Sequence, residues 1–80
     1  MHHKADAGSM SIRIQKRFGR RIQMIRREKN ITQVQLAEKT GINRNYLSAL
    51  ENGHHEVCIV NIELLAIGLK IPMWQIFKDL

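Results

Sequence analysis

Between Ile12 and Lys29 the apolar residues Ile14, Phe18, Ile22 and Ile25 recur at intervals of four, four and three. That rhythm puts them on one face of an amphipathic helix. Gly19 lies inside it and weakens a helix by about 1 kcal/mol relative to alanine, so its presence predicts a close approach by another element. Asn30 fits the helix stop. Thr32 is a good N-cap for a short helix over 33–40 that carries Leu36 and Ala37 inward, and Gly41 ends it. Asn43 caps a third helix in which Tyr46, Leu47 and Leu50 gather on one side, and Gly53 stops it after Asn52. A fourth helix is expected over 59–69, with Ile59, Ile62, Leu65, Ala66 and Leu69 as its core stripe. Pro72 opens a fifth turn as its N1 residue, with Trp74, Ile76 and Phe77 available for packing. The run "VCIV" at 57–60 is the one stretch that also fits a strand, and it is short. The pattern therefore predicts an all-α fold of five helices. The second and third, separated only by "TGIN", are too close in sequence to lie side by side antiparallel and must cross steeply, as in a helix-turn-helix.

Eighty residues make one domain at most. A chain this short buries only about 60–65% of its unfolded surface, so its core has little to spare. With one cysteine, Cys58, no internal disulfide can form, and a reducing cytoplasm is the expected setting. No apolar run approaches the roughly 20 residues that span a bilayer, and the N-terminus lacks a signal-peptide h-region. Residues 1–9, with two histidines, a Gly-Ser pair and no periodicity, read as a disordered expression tag. The folded domain is expected over 10–80.

Charge changes the picture. Of 13 Lys and Arg against 7 Asp and Glu, eight lie between Arg13 and Lys29, where Glu28 is the only acid. Such a stripe suits a polyanion, either nucleic acid or an anionic surface, and equally a plain solvated face. The third helix is odd in another way. Opposite its apolar side it shows Arg44, Asn45, Ser48, Ala49 and Asn52, a continuous stripe of small side chains, one arginine and two amides.

The segments "ITQVQLAEKTGI" and "YLSALENG", Arg26 before the linker, and "IELLAIGLKIPMWQIF" together resemble the Cro/C1-type (lambda repressor-like, Xre) helix-turn-helix family of bacterial and phage repressors. The resemblance covers about residues 12–77. It implies a sequence-specific DNA-binding transcriptional regulator whose second helix crosses the DNA backbone while residues 43–52 enter the major groove. A groove about 12 Å wide excludes bulk from the reading face. Arginine bonds guanine bidentately, asparagine bonds adenine, and alanine touches a thymine methyl. Arg44 and Asn45 are thus the expected base readers, with Ser48 and Ala49 secondary. On the same resemblance Gln33, Asn43, Asn52 and His54 touch phosphate, and Arg17 of the basic helix joins them. His54 and His55 stand where the family commonly has lysine or arginine, so this contact is weak while the imidazoles are neutral and strengthens on protonation. Arg26 and Glu51 match the family's ion pair between the first and third helices.

The fourth helix is apolar nearly all round, because Val60, Leu64 and Ile67 lie outside its core stripe. With Met73 and Trp74 they form the expected interface of a two-fold homodimer on a pseudo-palindromic operator, with reading helices about 34 Å apart. Alternatively these residues complete the core. Cys58 takes the cap position of the fourth helix, where a thiol is a weak cap. His54, His55, Glu56 and Cys58 match no zinc spacing, and no metal, cofactor or small-molecule ligand is expected. No catalytic constellation is visible, so an enzyme is not expected. Double-stranded DNA is the expected partner, and RNA polymerase is a candidate one. Within the family, "RNYLSALENG" followed by two short helices resembles restriction–modification controllers, with phage-type repressors beside them. Two other readings stay open: an antitoxin-like interaction module using helix four, and sequence-neutral nucleic-acid binding through the basic first helix.

Overall fold

The structure, a computed structural model, describes the backbone of residues 3–80 and the side chains from Arg13 onward. It has five helices: α1 (His3–Glu28), α2 (Gln33–Thr40), α3 (Arg44–Glu51), α4 (Ile59–Leu69) and α5 (Met73–Ile76). No strand occurs among the described residues, and the "VCIV" run falls at the entry to α4. No helix among them is long and apolar enough to cross a membrane.

The caps explain the boundaries. Asn30 takes a left-handed conformation (φ 57°) and ends α1. Thr32 opens α2 through a capping box, accepting from the Gln35 N–H while the Gln35 side chain accepts from the Thr32 N–H. Gly41, at φ 75°, closes it. The Asn43 Oδ1 accepts the N–H groups of Asn45 and Tyr46 at the start of α3. Cys58 sits at the N-cap of α4 and makes no side-chain cap bond. Pro72 is the N-cap of α5, one residue before the expected N1.

One core unites these elements. Phe18, Ile22, Ile25, Leu36, Leu47, Leu50, Leu65, Leu69 and Ile76 are buried together, drawn from all five helices. The Phe77 ring packs tilted on Phe18 with centroids 5.9 Å apart.

α1 begins at His3 and so runs on through residues 3–9, which the sequence reads as a disordered tag; Met1 and His2 lie outside the described residues. Two expectations about the core are corrected. Ile14 is 41% exposed, because α1 at this point runs past most of the bundle and only part of the ring of residues around Phe18 reaches it. Ile59, assigned to the core stripe of α4, is 72% exposed. It stands at the edge of the buried arc, about 70° from its centre, in a first turn that nothing covers.

Gly19 marks the contact that fixes α1 against α3. A Cβ there would lie 2.8 Å from the Glu51 carbonyl oxygen and closer still to that of Leu50. Helix propensity alone would make Gly19→Ala stabilising by about 1 kcal/mol; the overlap with backbone opposes it by about 1–3 kcal/mol. We expect the overlap to win, since neither carbonyl is a flexible end, and the thermal midpoint to fall. An unchanged or raised midpoint in a melt of Gly19→Ala would show that the two helices separate cheaply.

Candidate nucleic-acid interface

The third helix is held by the inside of the molecule and shown to the outside in a sharply divided way. Leu47 and Leu50 are fully buried, and Tyr46 is half-buried. Arg44 and Asn45 are exposed, while Ser48 and Ala49 are half-buried on the same outward stripe. The small residues let the helix surface lie flat, and the two long polar side chains stand clear of it. Asn43, occupied at Oδ1 by its cap bonds, keeps its NH2 as an outward donor. Asn52 caps the other end, its Nδ2 donating to the Ser48 carbonyl at 3.0 Å. The turn that follows is pinned by the Gly53 N–H to Leu50 O and the His54 N–H to Ala49 O.

The orientation of this helix rests on one buried ion pair. Arg26 Nε donates to Glu51 Oε2 at 2.7 Å and Nη2 donates to Oε1 at 2.8 Å, a bidentate arrangement. Both residues are buried, at 7% and 5% exposure. Arg26 Nη1 also donates to the Ile31 carbonyl at 2.9 Å, and Gln33 Nε2 donates to Glu51 Oε1 at 3.0 Å. The hydrogen bonds to Glu51 raise the Arg26 pKa above its ordinary value, against the opposing cost of burial. With its pKa raised, the arginine stays charged, and its side of the pair fails only as pH rises into extreme alkali.

Gln33, expected to hold phosphate, therefore has its amide donor turned inward to Glu51, and its position at the first turn of α2 faces the outside through the helix start. There an open cavity of about 480 Å³ is bordered by Arg27, Thr32, Gln33, Val34 and Arg44. At the opposite end of α3, Lys16, Arg20, Gln23 and Asn52 border a second cavity of about 320 Å³. Arg17 lies in a different hollow beside the chain end, with Arg21, Met24, Asp79 and Leu80, and Arg20 borders both hollows. The expected readers and the asparagines thus share one surface, with Lys16 and Arg20 of the basic first helix beside them and with Arg27 and Gln23 as neighbours that sequence reasoning did not single out. A signal for them existed: 16, 20, 23 and 27 form one helical flank bordering Gly19.

His54 is exposed at the turn, and the His55 ring lies tilted against Tyr46 with centroids 5.1 Å apart. Tyr46 Oη donates to the Glu56 carbonyl at 3.0 Å. Among the described residues no group of three or more His, Cys, Asp or Glu could hold a metal ion.

The family pattern described as Helix-turn-helix matches residues 22–73. The chain is 35% identical over 65 residues to the control protein C.MunI of a Mycoplasma species, covering 80% of this chain and 88% of that one. It is 42% identical over 61 residues to the immunity repressor of Bacillus phage phi105, covering 76% of this chain and 42% of that one. Its structure resembles the restriction–modification controller C.AhdI from Aeromonas hydrophila, with a TM-score of 0.77, 35% identity and coverage of 79% of this chain and 96% of that one. It also resembles the controller C.Esp1396I, solved as a tetramer in complex with its natural 35 base-pair operator, with a TM-score of 0.75, 31% identity and coverage of 80% and 84%. The chain belongs to the Xre-type (Cro/C1) helix-turn-helix family.

The buried pair yields a stability test. Removing one partner strands the other charge in a dry site, so Glu51→Gln or Arg26→Gln should each cost about 3–5 kcal/mol in urea unfolding. A loss below about 1 kcal/mol would mean that water reaches the pair.

Proposed function

We propose that this protein is a sequence-specific DNA-binding transcriptional regulator, a controller of the restriction–modification kind, acting as a homodimer on a pseudo-palindromic operator. The observation that carries the reading is the outward face of α3. It combines exposed Arg44 and Asn45 with a low surface of Ser48 and Ala49, and has basic and amide side chains at both ends. Arg44 and Asn45 read base edges; Ser48 and Ala49 let the helix approach them. Asn43, Asn52 and His54, with the start of α2 at Gln33, set its register on the backbone. The controllers and the phage repressor among its relatives support this assignment.

The fourth helix and Trp74 carry the dimer contact. Val60, Ile67 and Trp74 are 60%, 64% and 65% exposed, and half-buried Leu64 and Met73 continue the patch. With Ile59 beside them, α4 presents a broad apolar arc interrupted only by Glu63. A monomer has no use for such an area in water, and a two-fold contact through it removes the area from both copies.

Two experiments check the two halves of this reading. Selection from random duplexes should enrich an inverted repeat with the wild type and lose it with Arg44→Ala/Asn45→Ala; a wild type that enriches no motif would sink the reading of α3 as a sequence reader. Ile67→Glu should sediment as a folded monomer and bind the selected site about a hundredfold more weakly, because a monomer grips one half-site instead of two. If Ile67→Glu remains dimeric, the interface lies on another face.

A further inference from the structure

The basic residues of α1 form a single run in the sequence, yet the fold divides them. Lys16, Gln23 and Arg27 lie on the flank that borders α3 through Gly19, with Arg20 next to them on the outer side. Arg17 and Arg21 lie on the flank toward α5. We infer that Lys16 and Arg20, with Gln23, form a clamp for the DNA phosphates beyond the Asn52 end of the reading helix, and that Arg17 and Arg21 take no direct part. The inference rests on the DNA-reading proposal above and assigns the backbone contact to particular residues.

Position comes first. The turn after α3 sits directly on Lys16: a Cβ at Gly53 would lie 2.8 Å from the Lys16 Cα and 2.6 Å from its Cγ. The side chain of Lys16 is thus guided past the end of α3. Together with Arg20, Gln23 and Asn52 it borders an open, largely polar cavity of about 320 Å³. A phosphate entering there would meet an ammonium, a guanidinium and two side-chain amides.

Electrostatics separates the two flanks. The only acid at this cavity is Glu51, and its carboxylate is buried and bound to Arg26 and Gln33. Among the described residues neither Lys16 nor Arg20 forms a salt bridge, so their charge is free for a phosphodiester. On the other flank Arg21 Nη2 donates to the Gln75 carbonyl at 2.9 Å, tying α1 to α5. Arg17 lies outside the cavity beside Asn52, in a hollow that it shares with Arg21 and Asp79 and that Arg20 also borders. Arg21 is thus committed to α5, Lys16 lines the cavity beside Asn52, and Arg20 stands between the two hollows.

The test is the salt dependence of binding to the selected duplex, read by fluorescence anisotropy across a potassium chloride series. Each phosphate that goes without its cation lowers the slope of log K against log salt by about 0.9, and a dimer has two such phosphates, so Lys16→Gln and Arg20→Gln should each lower it by about 2. Lys16→Arg, which keeps the charge, should retain the wild-type slope. Lys39→Gln removes the same charge from the last turn of α2 and should leave the slope unchanged. If Arg17→Gln lowers the slope as far as Lys16→Gln does, the charge acts diffusely and the inference is overturned. It is also overturned, with the DNA-reading proposal intact, if the wild type selects a motif while Lys16→Gln and Arg20→Gln keep the full slope. A wild type that binds every duplex alike removes both.

Discussion

The bidentate pair between Arg26 and Glu51 is the constraint on which this fold depends. It joins the end of α1 to the last residue of α3, and the same two side chains collect the Ile31 carbonyl of the connecting turn and the Gln33 amide at the head of α2. Three helices and a turn are thereby fixed at one point inside the protein. Replacing such a pair by apolar residues of the same size is often neutral for stability, so its value here is geometric. Two helices of eight residues each cannot hold their own direction in water, and directional hydrogen bonds to a fixed scaffold supply what a greasy contact would leave loose.

Everything outward follows from that anchor. With Glu51 held, α3 cannot rotate, and Arg44 and Asn45 have no inward alternative. Gly19 brings α1 against the end of the same helix, which sets Lys16 and Arg20 of α1 beside Asn52 at the end of its outward face. On the opposite side the core ends early: Leu65, Leu69 and Ile76 are fully buried, but the outer arc of α4 and the Trp74 ring remain in water. A domain of this size has too little chain to cover both surfaces. One is polar and shaped for a groove. The other is apolar, the surface proposed as the contact between two copies.

Much of this was legible from residue order. Caps at Thr32 and Asn43, stops at Asn30, Gly41 and Gly53, and the apolar rhythm in α1 are local features, each decided within one or two turns of helix. The pairing of α2 with α3 followed from the three-residue turn between them, and the close approach at Gly19 from a glycine placed where a helix would prefer any other residue. Where local rules met an edge they failed. Ile14 and Ile59 have the right spacing for the core but lie beyond the reach of the neighbouring helices, and spacing contains no information about where a neighbour ends.

The sequence by itself determined the all-α class, the ends of α2 and α3, most of the buried face of each helix and the small polar face of α3, because helix capping and 3.6-residue periodicity are written in neighbouring residues. Tertiary structure alone decided which side chains share a surface. It turned the Gln33 amide inward onto Glu51, placed Arg17 in a hollow with Asp79, and brought Lys16 and Arg20 to Asn52, more than thirty residues away along the chain. A run of arginines and lysines looks uniform in one dimension. Only the docking of α1 between α3 and α5 gives its two flanks different neighbours.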